Sequence, residues 1–124
     1  MAITVTVPKE TAPGERRVAL VPDGVRALIK SGASVRVERG AGVAATHPDS
    51  AYEAAGASLV TAPLGDAQIV VKVQRPSVAE LEALPAGAVL ISLLGAGPDA
   101  QSFPSRLADR HVTALALEDR KSVV

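Results

Sequence analysis

Apolar and polar positions in this chain switch repeatedly between a period of two and a helical period. Ile3-Thr4-Val5-Thr6-Val7 alternates β-branched residues up to Pro8 and predicts a first strand. Thr11 to Arg17 reads as a loop with Pro13-Gly14 as its turn signal, and Val18 to Val21 is apolar and extended up to Pro22. A helix follows. Pro22 suits its first turn, Asp23 faces the free amides, and Val25, Leu28 and Ile29 form one apolar face before Gly32. Ser34 to Glu38 alternates again as a second strand and leaves through Gly40-Ala41-Gly42.

Pro48-Asp49 opens a second helix that carries Tyr52 and Ala55 and stops at Gly56, and Ser58-Leu59-Val60 is extended. Ala67 to Val73 and Ala88 to Leu94 are nearly continuous apolar runs, as in strands covered on both faces. Between them Ser77 and Glu80 have the spacing of a capping box, with Leu81 and Leu84 pointing inward. A last helix covers Ser105 to Arg110, with Pro104 as an alternative start, and a last strand covers Val112 to Leu117. Strands alternating with helices predict an α/β fold: a parallel sheet with helices on both faces.

Composition narrows the function. At 124 residues the chain has material for one core. Aromatics are only 2%, so the interior is built of Val, Leu, Ile and Ala rather than of rings that could stack on a ligand. Thirteen basic residues balance thirteen acidic ones, and no basic stripe is visible, which argues against nucleic-acid binding. With no Cys, and with His47 and His111 far apart, neither a disulfide scaffold nor a metal site is expected. No stretch approaches the ~18 apolar residues of a spanning helix and no signal peptide is evident, so a soluble cytoplasmic protein is expected.

Four features invite a functional reading. Gly40-Ala41-Gly42-Val43-Ala44-Ala45 matches the dinucleotide fingerprint and makes Gly40 and Gly42 cofactor candidates. However, Thr46-His47-Pro48-Asp49 separates it from the next helix, and no acidic residue ends a following strand about 20 residues on. A plain glycine turn is the expected outcome. Arg16 and Arg17 follow the first strand, where open α/β sheets bind ligands and where an Arg could grip a carboxylate or phosphate; the simpler expectation is a solvated charged loop. Lys72 interrupts an apolar strand. It either reaches a cleft at the strand's carboxyl end or snorkels at a sheet edge, and Gln74 on the same face could share its polar site. Gly95-Ala96-Gly97 permits close backbone approach, or is a tight turn. No nucleophile–base pair or paired-carboxylate arrangement can be assembled, so no catalytic residue is assigned.

The order of several short motifs resembles the alanine dehydrogenase and transhydrogenase alpha-subunit family. They are Val7-Pro8-Lys9-Glu10, Arg17-Val18-Ala19 before Pro22, Val37 to Gly42, Ala54 to Ala57, Val71-Lys72-Val73-Gln74-Arg75-Pro76 and Val112-Thr113-Ala114. The resemblance covers residues 3 to 118 and implies a Rossmann-like or flavodoxin-like parallel sheet, the first lobe of a two-lobe domain. Gln74 stands where alanine dehydrogenases have a keto-acid-binding Lys, and Gly95 where they have a catalytic His. Both favour the transhydrogenase side, in the form whose alpha subunit is split and begins with a soluble chain. The intact protein would then pass hydride between NAD(H) and NADP(H), bind NAD(H) between its lobes, form a homodimer and work with proton-translocating membrane subunits. It would lie in the cytoplasm, peripheral to the inner membrane, without inserting itself.

By the same resemblance Arg17, Lys72 and Gln74 face the interlobe cleft. The family's cofactor lobe is not in this sequence, so the chain alone is expected to be inactive and to bind no cofactor well. Residues 1–118 are expected to be an incomplete N-terminal domain. The family pattern stops at Glu118, and the last six residues can be encoded by one frame of a common sequencing adapter, so 119–124 are expected to be a non-native tail. The alternatives are an amino-acid dehydrogenase fragment and a small stand-alone binding module.

Overall fold

A computed structural model describes residues 3–61, 63–93 and 103–116. Its six parallel strands are β1 (Thr4–Val7), β2 (Ser34–Glu38), β3 (Ser58–Val60), β4 (Ile69–Val71), β5 (Val89–Ser92) and β6 (Thr113–Ala116). They lie in the order β3-β2-β1-β4-β5-β6, the Rossmann arrangement of the two the resemblance left open. The helices are α1 (Pro22–Lys30), α2 (Asp49–Ala55), α3 (Val78–Ala83) and α4 (Phe103–Asp109). Gly95 to Gly97 and residues 119–124 fall outside the described residues.

The local signals act as their chemistry requires. Pro22 sits in the first turn of α1, with Asp23 beside it. α2 ends on left-handed Gly56. Ser77 and Glu80 close a reciprocal capping box at the start of α3. Val18 to Leu20 packs on the core without joining the sheet, pinned by the Tyr52 hydroxyl, which donates to the Leu20 carbonyl at 2.7 Å.

Two cores lie on opposite faces of the sheet. Val7, Val35 and Val37 pack with Val25 of α1 and with Tyr52 and Ala55 of α2. Val70 and Leu90, pointing the other way, pack with Leu81, Leu84 and Leu107 beneath α3 and α4. Arg36 braces that second face, donating to Pro63 O at 2.7 Å and pairing with Asp66 at 3.0 Å. On the α1–α2 face of β4 to β6, the row Ile69, Val71, Val89 and Ile91 is only half-buried, and Leu115 is 55% exposed.

The chain runs outward from β1 to β3, then returns to place β4 on the other side of β1. That reversal makes the carboxyl ends of β1 and β4 the topological switch point, where open sheets carry their ligands.

Candidate functional site

The switch point is occupied by carboxylates that are not among the candidate site residues. β1 ends at Pro8, which has no N–H to continue a ladder. Two residues on, the Glu10 side chain turns back over β4, where its carboxylate accepts from Val73 N at 2.9 Å, Gln74 N at 3.0 Å and Lys72 Nζ at 3.2 Å. Lys72 also lies 3.6 Å from Glu80 Oε2, so the capping residue of α3 shares the ammonium. The Lys72 and Glu10 side chains are 2% and 3% exposed. A charge so buried is tolerable only when paired, and this one is held between two carboxylates.

This network settles the two readings of Lys72. β4 lies between β1 and β5, so no sheet edge is available for snorkelling. Lys72 sits at the carboxyl end of its strand but is enclosed there rather than presented to solvent. It shares Glu10 Oε1 with the Gln74 backbone, so the two residues do meet at one polar site, joined by a carboxylate 62 residues earlier in the sequence. The same carboxylate takes the Val73 and Gln74 amides, and the regular pairing of β4 ends at Val71, although Lys72 N still donates to Ile91 O at 2.9 Å and Leu93 N to Val73 O at 3.0 Å.

The Gln74 side chain reaches a second carboxylate, with Nε2 donating to Glu15 Oε1 at 2.6 Å. Glu15 is set by the Ala12-Pro13-Gly14-Glu15 turn. Its amide donates to Ala12 O at 3.1 Å and Gly14 takes φ +79°, the pattern of a type II turn. Glu15 then grips Arg17: Nε donates to Oε2 at 3.0 Å, NH2 to Oε1 at 2.9 Å and the Arg17 amide to Oε2 at 2.8 Å. The hydrogen bonds from Arg17 and Gln74 hold the Glu15 carboxyl well below the usual carboxylate range, and Glu15 in turn raises Arg17. Arg16 and Arg17 are both exposed, but the Arg17 guanidinium is paired and so is no freely solvated charge. One hydrogen-bonded path runs from Arg17 through Glu15, Gln74 and Glu10 to Lys72, which is in turn ion-paired with Glu80, uniting all three cleft candidates.

A cavity of about 210 Å³ adjoins this path, bounded on one side by Lys9, Glu15, Arg16 and Arg17 and on the other by Gly40 and Ala41. A cavity of about 500 Å³ opens at the opposite, amino ends of the strands, beside Gln68 and Gly87 and far from the polar network.

The glycine turn does not build a dinucleotide cradle. A fingerprint loop binds pyrophosphate through free amides at a helix start. Here Gly40 N donates to Asp49 Oδ1 at 2.9 Å, and the amides of Ala41, Val43, Ala45, Thr46 and His47 all donate within the turn. A 3-10 turn (Val43–Ala45) separates the glycines from α2. β3 ends at Val60 with Thr61 next, so no acidic side chain ends it. Gly42 instead serves packing: a Cβ there would lie 2.6 Å from Tyr52 Cε2 and 2.7 Å from His47 O. A nicotinamide dinucleotide does not fit the described residues of this lobe by its glycine turn.

Strand order and a charged switch point define the class: a Rossmann-ordered α/β lobe whose polar cluster lies at the carboxyl end of the sheet. The chain belongs to the alanine dehydrogenase/PNT N-terminal domain family, whose model matches residues 6–122. It is 41% identical over 122 residues to an NAD(P) transhydrogenase alpha-subunit chain of Rhodospirillum rubrum, covering 92% of this chain and 32% of the relative. It is 40% identical over 114 residues to the alanine dehydrogenase of Bacillus subtilis, covering 90% and 30%. A transhydrogenase structure from Sinorhizobium meliloti superposes with a TM-score of 0.85 at 36% identity, covering 93% of this chain and 35% of that one. An L-alanine dehydrogenase structure gives 0.82 at 32% identity, covering 92% and 32%. The chain thus spans about a third of the length of these relatives. No helix among the described residues is long and apolar enough to cross a membrane.

Proposed function

We propose that this lobe serves an NAD(P) transhydrogenase alpha subunit, in which hydride passes between NAD(H) and NADP(H), coupled to proton movement by membrane partners. Identity alone does not choose between the two kinds of relative, since 41% and 40% are equivalent. The observation that carries the choice is Gln74: its neutral amide is spent on Glu15 at 2.6 Å, and the position offers no cation for a substrate carboxylate.

In this reading the nicotinamide nucleotide is held by the rest of the intact protein, and this lobe supplies one wall of the cleft through Arg17, Gln74 and the buried Lys72. Hydride transfer needs donor and acceptor rings fixed in contact, so the lobe alone is inactive. The half-exposed apolar row from Ile69 to Leu115 is a surface on which the rest of the subunit can pack. The intact subunit is a homodimer on the cytoplasmic side of the inner membrane, held there by its membrane partners.

The test is a graft. Residues 6–118 replace the matching segment of the Rhodospirillum rubrum subunit, which is assayed with its partners for hydride transfer from NADH to NADP+ and, separately, for alanine oxidation. Transhydrogenation without alanine oxidation is expected. A folded, NADH-binding graft that oxidises alanine and does not transhydrogenate refutes the reading.

A further inference from the structure

Arg17 faces a cavity and could take a small anion, yet its guanidinium is already engaged. Nε and NH2 both donate to Glu15, an intramolecular fork-to-carboxylate pair of the kind a carboxylate ligand would form. The guanidinium side is 64% exposed and the Glu15 side 7%, so the open member of the pair is the one a ligand would want. Glu15 is fixed from three directions: the Gly14 turn fixes its backbone, the Arg17 amide donates to it, and Gln74 donates to it at 2.6 Å. The adjoining cavity of about 210 Å³ has room for several waters at about 30 Å³ each, hence for a small organic acid. Lys9 and Arg16 on its wall make no side-chain hydrogen bond among the described residues. Besides Glu15 the walls carry Lys9, Arg16 and Arg17 against the carboxylate of Glu10, a balance that suits a small carboxylate, and Glu15 stands in its place.

We infer that Glu15, held by Gln74, is an internal counter-carboxylate that occupies Arg17 and closes this pocket to small carboxylate ligands. Such a ligand gains the Arg17 fork only by displacing Glu15, whose charge would then face both the ligand and Glu10 across the same cavity. The hydrogen bonds from Arg17 and Gln74, which hold the Glu15 carboxyl well below the usual carboxylate range, keep that charge in place through the physiological range. Gln74 makes the arrangement one-sided: it donates to Glu15 but brings no positive charge that would offset a second anion. The inference does not depend on which activity the intact protein has.

The experiment uses this chain labelled with ¹⁵N, with sodium pyruvate as the carboxylate probe and the Arg17 Nε–H resonance as the reporter. Glu15→Gln keeps the shape and one acceptor oxygen but removes the charge. It is expected to bind pyruvate at least roughly ten-fold tighter than the unaltered chain, and Glu15→Gln with Arg17→Met to lose that gain. Gln74→Met, which frees Glu15 from its holder without touching the carboxylate, should gain by a smaller factor, and serves alone if Glu15→Gln fails to give a folded spectrum. A folded Glu15→Gln chain that binds no tighter overturns the inference. So does a gain that survives loss of Arg17, or a folded Gln74→Met chain without any gain.

Discussion

Replacing Glu10 by Gln tests whether the buried ammonium organises the switch point. The carboxylate now serves three donors: Lys72 Nζ, Val73 N and Gln74 N. A glutamine keeps one acceptor oxygen and turns a donor toward groups that are themselves donors. One buried amide is then unsatisfied, at about 1–3 kcal/mol. Lys72 also loses its nearer counter-charge, where breaking a buried pair costs about 3–5 kcal/mol. Glu80 at 3.6 Å offsets part of the second term. A net loss of about 3 kcal/mol is expected, near 12 °C in Tm for a chain of this length, which leaves a folded population to measure.

Lys72→Met removes the charge that needs a partner and keeps a chain of similar reach, while Glu10 retains two amide donors. It should cost only about 1.5 kcal/mol. With Lys72 already gone, Glu10→Gln has less left to break, so the double variant should cost about 2 kcal/mol rather than the additive ~4.5, a coupling of about 2.5. Urea titration followed by far-UV circular dichroism, with an unchanged m-value, gives all four corners. A Glu10→Gln cost below about 1 kcal/mol, or additivity within about 0.5 kcal/mol, would refute the clamp and make the short distances incidental.

Three further outcomes follow from the geometry. Glu15 holds its charge to lower pH folded than unfolded, so the unfolded chain takes up the extra proton and stability declines as pH falls below about 4.3. Glu15→Gln should flatten that part of a stability–pH curve, and an unchanged slope would mean the grip of Arg17 does not exist in solution. Gly42→Ala should cost about 2–3 kcal/mol by thermal melting, because the added methyl meets the buried Tyr52 ring and a backbone oxygen; a neutral result would show that the turn has slack. Ser77→Ala should lower stability by about 1 kcal/mol by urea titration through loss of the capping box, and no change would show that Lys72 alone holds Glu80.

The fold is legible in the sequence because its signals are local. β-branched alternation, Pro22 at a helix start, left-handed glycines at 32 and 56 and the Ser77–Glu80 box each act within a few residues. What sequence does not supply is strand order, which depends on where β4 lands, and therefore whether Lys72 lies at an edge or in the middle. Periodicity sets the end of β4 at Val73; regular pairing ends at Val71, hydrogen bonds to β5 run on as far as the Val73 carbonyl, and the Val73 and Gln74 amides go to a side chain from another loop. Arg17, Lys72 and Gln74 stand out one at a time, yet the residues that join them, Glu10 and Glu15, do not. A carboxylate in a charged loop has no local pattern that separates a solvated side chain from an enclosed one. The available signal is indirect: Glu10 closely follows Pro8 at the end of β1, the place a reversal of strand order would make a switch point.

The two carboxylates divide the labour in a way burial explains. Glu10 is enclosed with its cation, so removing the carboxylate strands the ammonium, and its role is to tie the end of β4 to the loop after β1. Glu15 is enclosed while its cation is open, so the pair adds little to stability and acts instead on what can reach Arg17. Gln74 bridges them, its backbone tied to Glu10 and its side chain to Glu15. A change at this one position would therefore leave the sheet intact while altering the charge Arg17 presents. That is the behaviour expected of a position at which two activities built on one fold diverge.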